Sequence, residues 1–177
     1  LILLLSFFLM TEWSLAQQRS LWVAAKSGLS IREKPSTTAK VLDKIPYGTK
    51  ITLLNTEEES VSVITEGMLG YWEKVSYNNK TGYIVNSYLL PLPPPKQGAV
   101  KIMNDYFKQV YTPFGSKLVV NKGERDNIEE GGYELQKQLY KNGAEWHEFT
   151  GYEYGSQTWF LPDLTMQQCF ILLRFIP

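Results

Sequence analysis

Between residues 21 and 92 the chain is cut into short apolar runs by glycine, proline, asparagine and serine. LWVAA gives way to KSG, and LSIRE to PSTTA. KVLDKI gives way to PYG, and TKITLL to NTEEES; VSVIT, GYWEKVSY and YIVNSYLLP follow. Runs of about 4–8 residues bounded by such turns predict strands, and many short strands in series predict a small all-β barrel. Within TKITLL, Ile51 and Leu53 share one face of a strand. Asn79 to Gly82 reads as a hairpin turn, because asparagine and glycine accept positive φ at low cost. Tyrosine is abundant, at 11 residues in an aromatic content of 14%, and this also favours strands over a helical bundle.

The order of residues in this stretch resembles the bacterial SH3-like (SH3b) domain. Ser27-Gly28-Leu29-Ser30-Ile31-Arg32 is followed by Pro35-Ser36, and then by Val41, Leu42, Ile45, Gly48, Thr49 and Ile51. An aromatic strand, Trp72-Glu73-Lys74-Val75, comes next. Gly82-Tyr83-Ile84-Val85 and Ser87-Tyr88-Leu89 close the pattern. The likeness departs at Lys34, where the family has glycine, and at Tyr83, where it has tryptophan. It also departs in a longer connection over residues 55–70 that includes Glu57, Glu58 and Glu59. The resemblance implies an SH3-like barrel over residues 17–92 and a role in recognition at the cell envelope.

A barrel of this kind offers a shallow groove lined by aromatic rings, whose polar tips and apolar bodies suit sugars or extended peptides. The candidate ligand-binding residues are Tyr47, Tyr71, Trp72, Tyr83 and Tyr88. Tyr47 and Tyr71 sit in turn-like sequence and are expected at the surface, whereas Trp72 and Tyr83 are read first as core or its support. Arg32 is expected to hydrogen-bond a turn. The acidic run reads as a solvated hairpin tip, with flanking of a ligand groove as the alternative.

The ends of the chain differ from its middle. LILLLSFFLM, followed by Ser14-Leu15-Ala16, has the length and small-residue ending of a signal peptide over residues 1–16. Export follows as an expectation, with the mature protein extracytoplasmic and lacking a transmembrane helix. Pro91, Pro93, Pro94 and Pro95 predict a stiff linker over residues 93–98. Residues 99–177 then read as a small α+β module. Val100, Met103, Phe107 and Val110 line one helix face, ended by Pro113 and Gly115. Leu118 to Val120 is a short strand. Asn142-Gly143 joins two strands as a hairpin, with a helix over residues 133–141 as the alternative. SQTWFLP adds another strand, and Thr165 caps a last helix with Gln168 in the capping-box position. The apolar run FILLRFIP suggests that the module continues beyond Pro177.

Charge and chemistry narrow the function. Lysine plus arginine and aspartate plus glutamate both number 18, which gives no basic surface for nucleic acid. The barrel stretch holds eight basic and seven acidic residues, and the second module eight and ten. One cysteine and one histidine offer neither a disulfide framework nor zinc-ligand spacing. His147 precedes Cys169, the reverse of the order in the cell-wall cysteine peptidases that travel with SH3-like modules. Cys169 also lies in an apolar helix rather than an activating site. His147 is expected to be exposed on a strand. The expectation is a protein without catalysis or cofactor that binds peptidoglycan, a stem peptide or an envelope protein. The alternatives are the targeting arm of a cell-wall enzyme whose catalytic domain lies past residue 177, and a structural interaction protein.

Overall fold

The computed structural model describes residues 19–55, 59–96, 103–122 and 132–175. The predicted leader, Glu57, Glu58 and Val100 lie outside the described residues. The fold is mainly β, with a barrel followed by an α+β portion. Eight strands build the barrel: β1 (Ser20–Val23), β2 (Leu29–Arg32), β3 (Val41–Ile45), β4 (Lys50–Thr52), β5 (Ser62–Thr65), β6 (Met68–Tyr77), β7 (Lys80–Val85) and β8 (Leu89–Leu90). They form two antiparallel sheets, ordered β3-β2-β7-β6-β5 and β4-β1-β8. Alternation places Leu29 and Ile31 inside with Ser30 and Arg32 outside. Val23, Ile31, Ile45, Val75 and Ile84 are fully buried, joined by Ile51 and Leu53 as their spacing predicts.

The hairpin between β6 and β7 forms one step earlier than the sequence reading. The residues with positive φ are Asn78 (51°) and Asn79 (59°), and Lys80 already belongs to β7. Gly82 is therefore a strand residue. A Cβ there would lie 2.5 Å from the Arg32 carbonyl oxygen and 2.6 Å from Ile31, so it is the close approach of β2 that calls for glycine. The long connection before Trp72 becomes a further hairpin, β5–β6, which turns at Glu66 and Gly67.

The second portion opens with α1 (Met103–Val110), continues as a meander of β9 (Pro113–Lys122), β10 (Tyr133–Tyr140), β11 (Glu145–Thr150) and β12 (Gly155–Phe160), and ends with α2 (Met166–Leu173). α1 ends at Val110, just ahead of Pro113, as the sequence predicts. Pro113 opens β9, where a proline is tolerated. Gly115 (φ 67°) lies in β9 beside a register shift against β10. The predicted three-residue strand is ten residues long because β10 pairs along its whole length. Residues 133–140 form a strand, not a helix, and Lys141 to Ala144 make the turn. Thr165 accepts from the Gln168 amide, and Gln168 reciprocates as a capping box.

One sheet face carries Tyr140, Trp146 and Trp159, which pack with Phe107 of α1 and with Tyr111 just after it. Phe107 and Tyr111 stack at 5.5 Å, and Trp159 lies 5.0 Å from Phe107. The same core takes in Ala24, Met68 and Leu90 from the barrel, and Ile171 and Leu172 from α2. Pro95 between the two portions is buried. The Tyr47 hydroxyl donates to its carbonyl from the barrel side, and the Tyr106 hydroxyl donates to Pro93 from α1 at 2.9 Å. The proline segment is thus held from both sides. No helix among the described residues is long and apolar enough to cross a membrane.

Candidate functional site

Trp72 stands between two grooves. On β6 it pairs with Val85 of β7, its amide donates to the Val61 carbonyl at 2.9 Å, and it is 8% exposed. The first groove, of about 470 Å³, runs along the seam between the barrel and the end of α2. Leu29, Val85 and Ile171 give it an apolar bed, with Trp72 and Tyr88 among its aromatic walls. Lys26, Arg32 and Arg174 supply its positive charges, and Glu66 is its one acid.

Each charged side chain is oriented by a local contact. Arg32 ends β2 and donates to the Ala39 carbonyl at 2.6 Å, which ties down the turn before β3 as its sequence context predicts. The Lys26 ammonium donates to the Arg174 carbonyl at 2.8 Å and sits 5.0 Å over the Phe175 ring. A cation there complements the negative C-terminal end of α2. Arg174 caps that helix and pairs with Glu66 at 2.5 Å. The Arg174 hydrogen bond, with its charge, lowers the Glu66 carboxyl below its ordinary value. The Tyr88 hydroxyl lies by this pair; burial, and then the Glu66 charge, push it up. With three cations and one carboxylate, the groove favours a ligand that brings an anion.

The second groove, of about 540 Å³, lies across Trp72, and among the described residues Arg19 and Lys74 face Glu59 and Glu73 in its lining. Arg19 and Glu73 pair at 3.1 Å. Tyr83 lines this groove under the Lys74 ammonium, 5.6 Å from its ring. Glu59 is the described member of the acidic run, and it flanks this groove rather than the first.

The five aromatic candidates therefore separate. Trp72 and Tyr88 meet in the first groove, and Trp72 and Tyr83 in the second. Tyr71 is 41% exposed and lines neither. Tyr47, expected at the surface, is half-buried, with its ring 5.6 Å from Phe175 and its hydroxyl on Pro95. Burial raises its phenol to about 12. Sequence reasoning missed Lys26, Glu66 and Arg174, which meet only because α2 packs on the barrel. The one available signal was Arg174 itself, the sole charge in the apolar run that ends the chain.

His147 is half-buried rather than exposed. It bonds Glu145 at 3.0 Å and lies 4.9 Å from the Phe160 ring. Cys169 lies within α2, where burial pushes its thiol up, away from the thiolate form that nucleophilic chemistry requires.

Residues 27–89 match the family model of the bacterial SH3 domain. The matched span covers β2 to the first residue of β8 and includes Tyr47, Tyr71, Trp72, Tyr83 and Tyr88. No curated protein matches the chain.

Proposed function

We propose that this is an extracytoplasmic, non-catalytic binding protein whose SH3 module recognises a cell-envelope ligand through the groove shared with α2. The observation that carries this reading is the first groove. An aromatic and apolar bed lies under three cations, within a module whose family model is that of the bacterial SH3 domain. Such a groove suits a short peptide or glycan segment that bears a carboxylate. The apolar bed accepts its aliphatic portion, while Arg174 and Lys26 accept the anion. Peptidoglycan stem peptides have this chemistry. A single groove of this size predicts modest affinity, with tighter retention where the ligand repeats.

A pull-down on purified peptidoglycan at low salt tests the reading. The protein is expected in the pellet. Arg174→Gln is expected to weaken retention about tenfold and to reduce its salt dependence, because a charge-assisted hydrogen bond is lost. Tyr71→Ala is expected to leave retention unchanged, since Tyr71 lines neither groove. Protein that stays wholly in the supernatant would remove the cell-wall ligand.

A further inference from the structure

A third concavity, of about 310 Å³, lies at the end of the β9–β12 sheet that carries the β11–β12 turn. Tyr133 of β10, Phe149 of β11 and Tyr154 of the β11–β12 turn form a continuous aromatic wall there. Successive ring centroids are 5.4 Å apart, and the planes tilt by 31° and 30°. The three rings are therefore not coplanar. Tyr152 and Glu153 complete the wall, and Glu153 is the charged one among the described residues that line it. The turn that presents them is fixed by the Gly151 amide donating to the Tyr154 carbonyl at 2.8 Å. Tyr154 is nonetheless 70% exposed and Tyr152 47%, so a large ring surface is left in water.

Elsewhere in the fold the ring faces carry ammonium groups. Lys50 lies over Trp22, Lys74 over Tyr83, and Lys108 over Trp146 at 4.6 Å. Among the described residues, no such cation contact falls on Tyr133, Phe149, Tyr152 or Tyr154. We propose that this trough binds an alkylammonium cation. The π wall would receive the cation's methylene or methyl groups, and Glu153 would supply the opposite charge. The site is separate from the groove beside Trp72 and does not depend on its reading.

Amide spectra of the full chain test the proposal, with Gly151 and Gly155 as reporters. Tetramethylammonium and an N-acetyl-lysine amide are titrated separately, beside tert-butyl alcohol as a neutral shape mimic and N-acetylglucosamine as a sugar. Both cations are expected to shift the two glycines, and the neutral mimic to leave them in place. Glu153→Gln and Tyr154→Leu are each expected to weaken cation binding about fivefold. Tyr154→Leu keeps apolar bulk at an exposed position and removes only the π face. If the lysine amide binds more tightly, the natural guest is a peptide side chain; if tetramethylammonium does, it is a quaternary ammonium group. Equal binding of tert-butyl alcohol, response to the sugar alone, or no shift with either cation overturns the proposal.

Discussion

Gly82, Glu66 and Tyr47 show how single residues set this structure. At Gly82 a methyl group would meet the Arg32 carbonyl and Ile31 inside the distance at which atoms can pack. Gly82→Ala is therefore expected to cost about 2–3 kcal/mol, as overpacking does, read from the denaturant midpoint. Glu66 is an acid whose folded value is lowered by Arg174. Its contribution is fully present above the ordinary value of 4.5 and is lost as pH falls through the lowered one. A carboxyl-resonance titration is expected to place Glu66 below 4.5, and Arg174→Gln to return it towards that value. Tyr47 runs the other way, because burial raises its phenol from 10.0 to about 12. Its contribution holds below 10.0 and is lost as pH rises through about 12. Tyr47→Phe is expected to remove one late-titrating phenol from the alkaline absorbance curve.

At the scale of elements, α2 is the piece on which the site depends. It brings Arg174 to the groove and holds the barrel through Gln167 on the Leu69 carbonyl at 2.7 Å and Gln168 on the Leu89 carbonyl at 3.2 Å. Gln168 serves the capping box as well. Thr165→Ala is expected to cost about 1 kcal/mol through loss of the cap. It is also expected to weaken ligand retention, measured in the same pull-down, because the C-terminal end of the helix forms one groove wall. The cap was legible because Thr165 and Gln168 satisfy orphan amides within one turn. The β10–β11 hairpin was legible because Asn142-Gly143 sets its own turn. The length of β9 was not legible, since its hydrogen bonds are made to β10 across a long connection rather than within a local turn.

Across the molecule, the two portions are continuous through one core. Ala24, Met68 and Leu90 of the barrel pack with α1, α2 and the β9–β12 sheet. Among the described residues, the opposite face of that sheet is left open. Leu139 stands opposite Phe114, and Glu145 opposite Phe160; both phenylalanines are at least half exposed. Because the core crosses the junction, thermal unfolding of the whole chain is expected as one transition, with calorimetric and van't Hoff enthalpies equal. Two resolved transitions in a calorimetric scan would show that the halves unfold independently.

The sequence by itself determined the barrel, its strand order along the chain, the two helices and the Asn142-Gly143 turn. Each of these rests on periodicity or turn chemistry within a few residues. It also named Tyr47, Tyr71, Trp72, Tyr83 and Tyr88 as candidates, but preferred Tyr47 and Tyr71 at the surface and Trp72 and Tyr83 in the core or its support, whereas Trp72, Tyr83 and Tyr88 are the ones that line a groove. Tertiary structure alone decided which aromatic lies in which groove, that Tyr47 holds the proline segment, and that Lys26, Glu66 and Arg174 converge. Those residues lie as far as 148 positions apart. Nothing local encodes such a meeting; it follows from burying the apolar face of α2 against the barrel, which removes that face from water and carries Arg174 to the groove's edge.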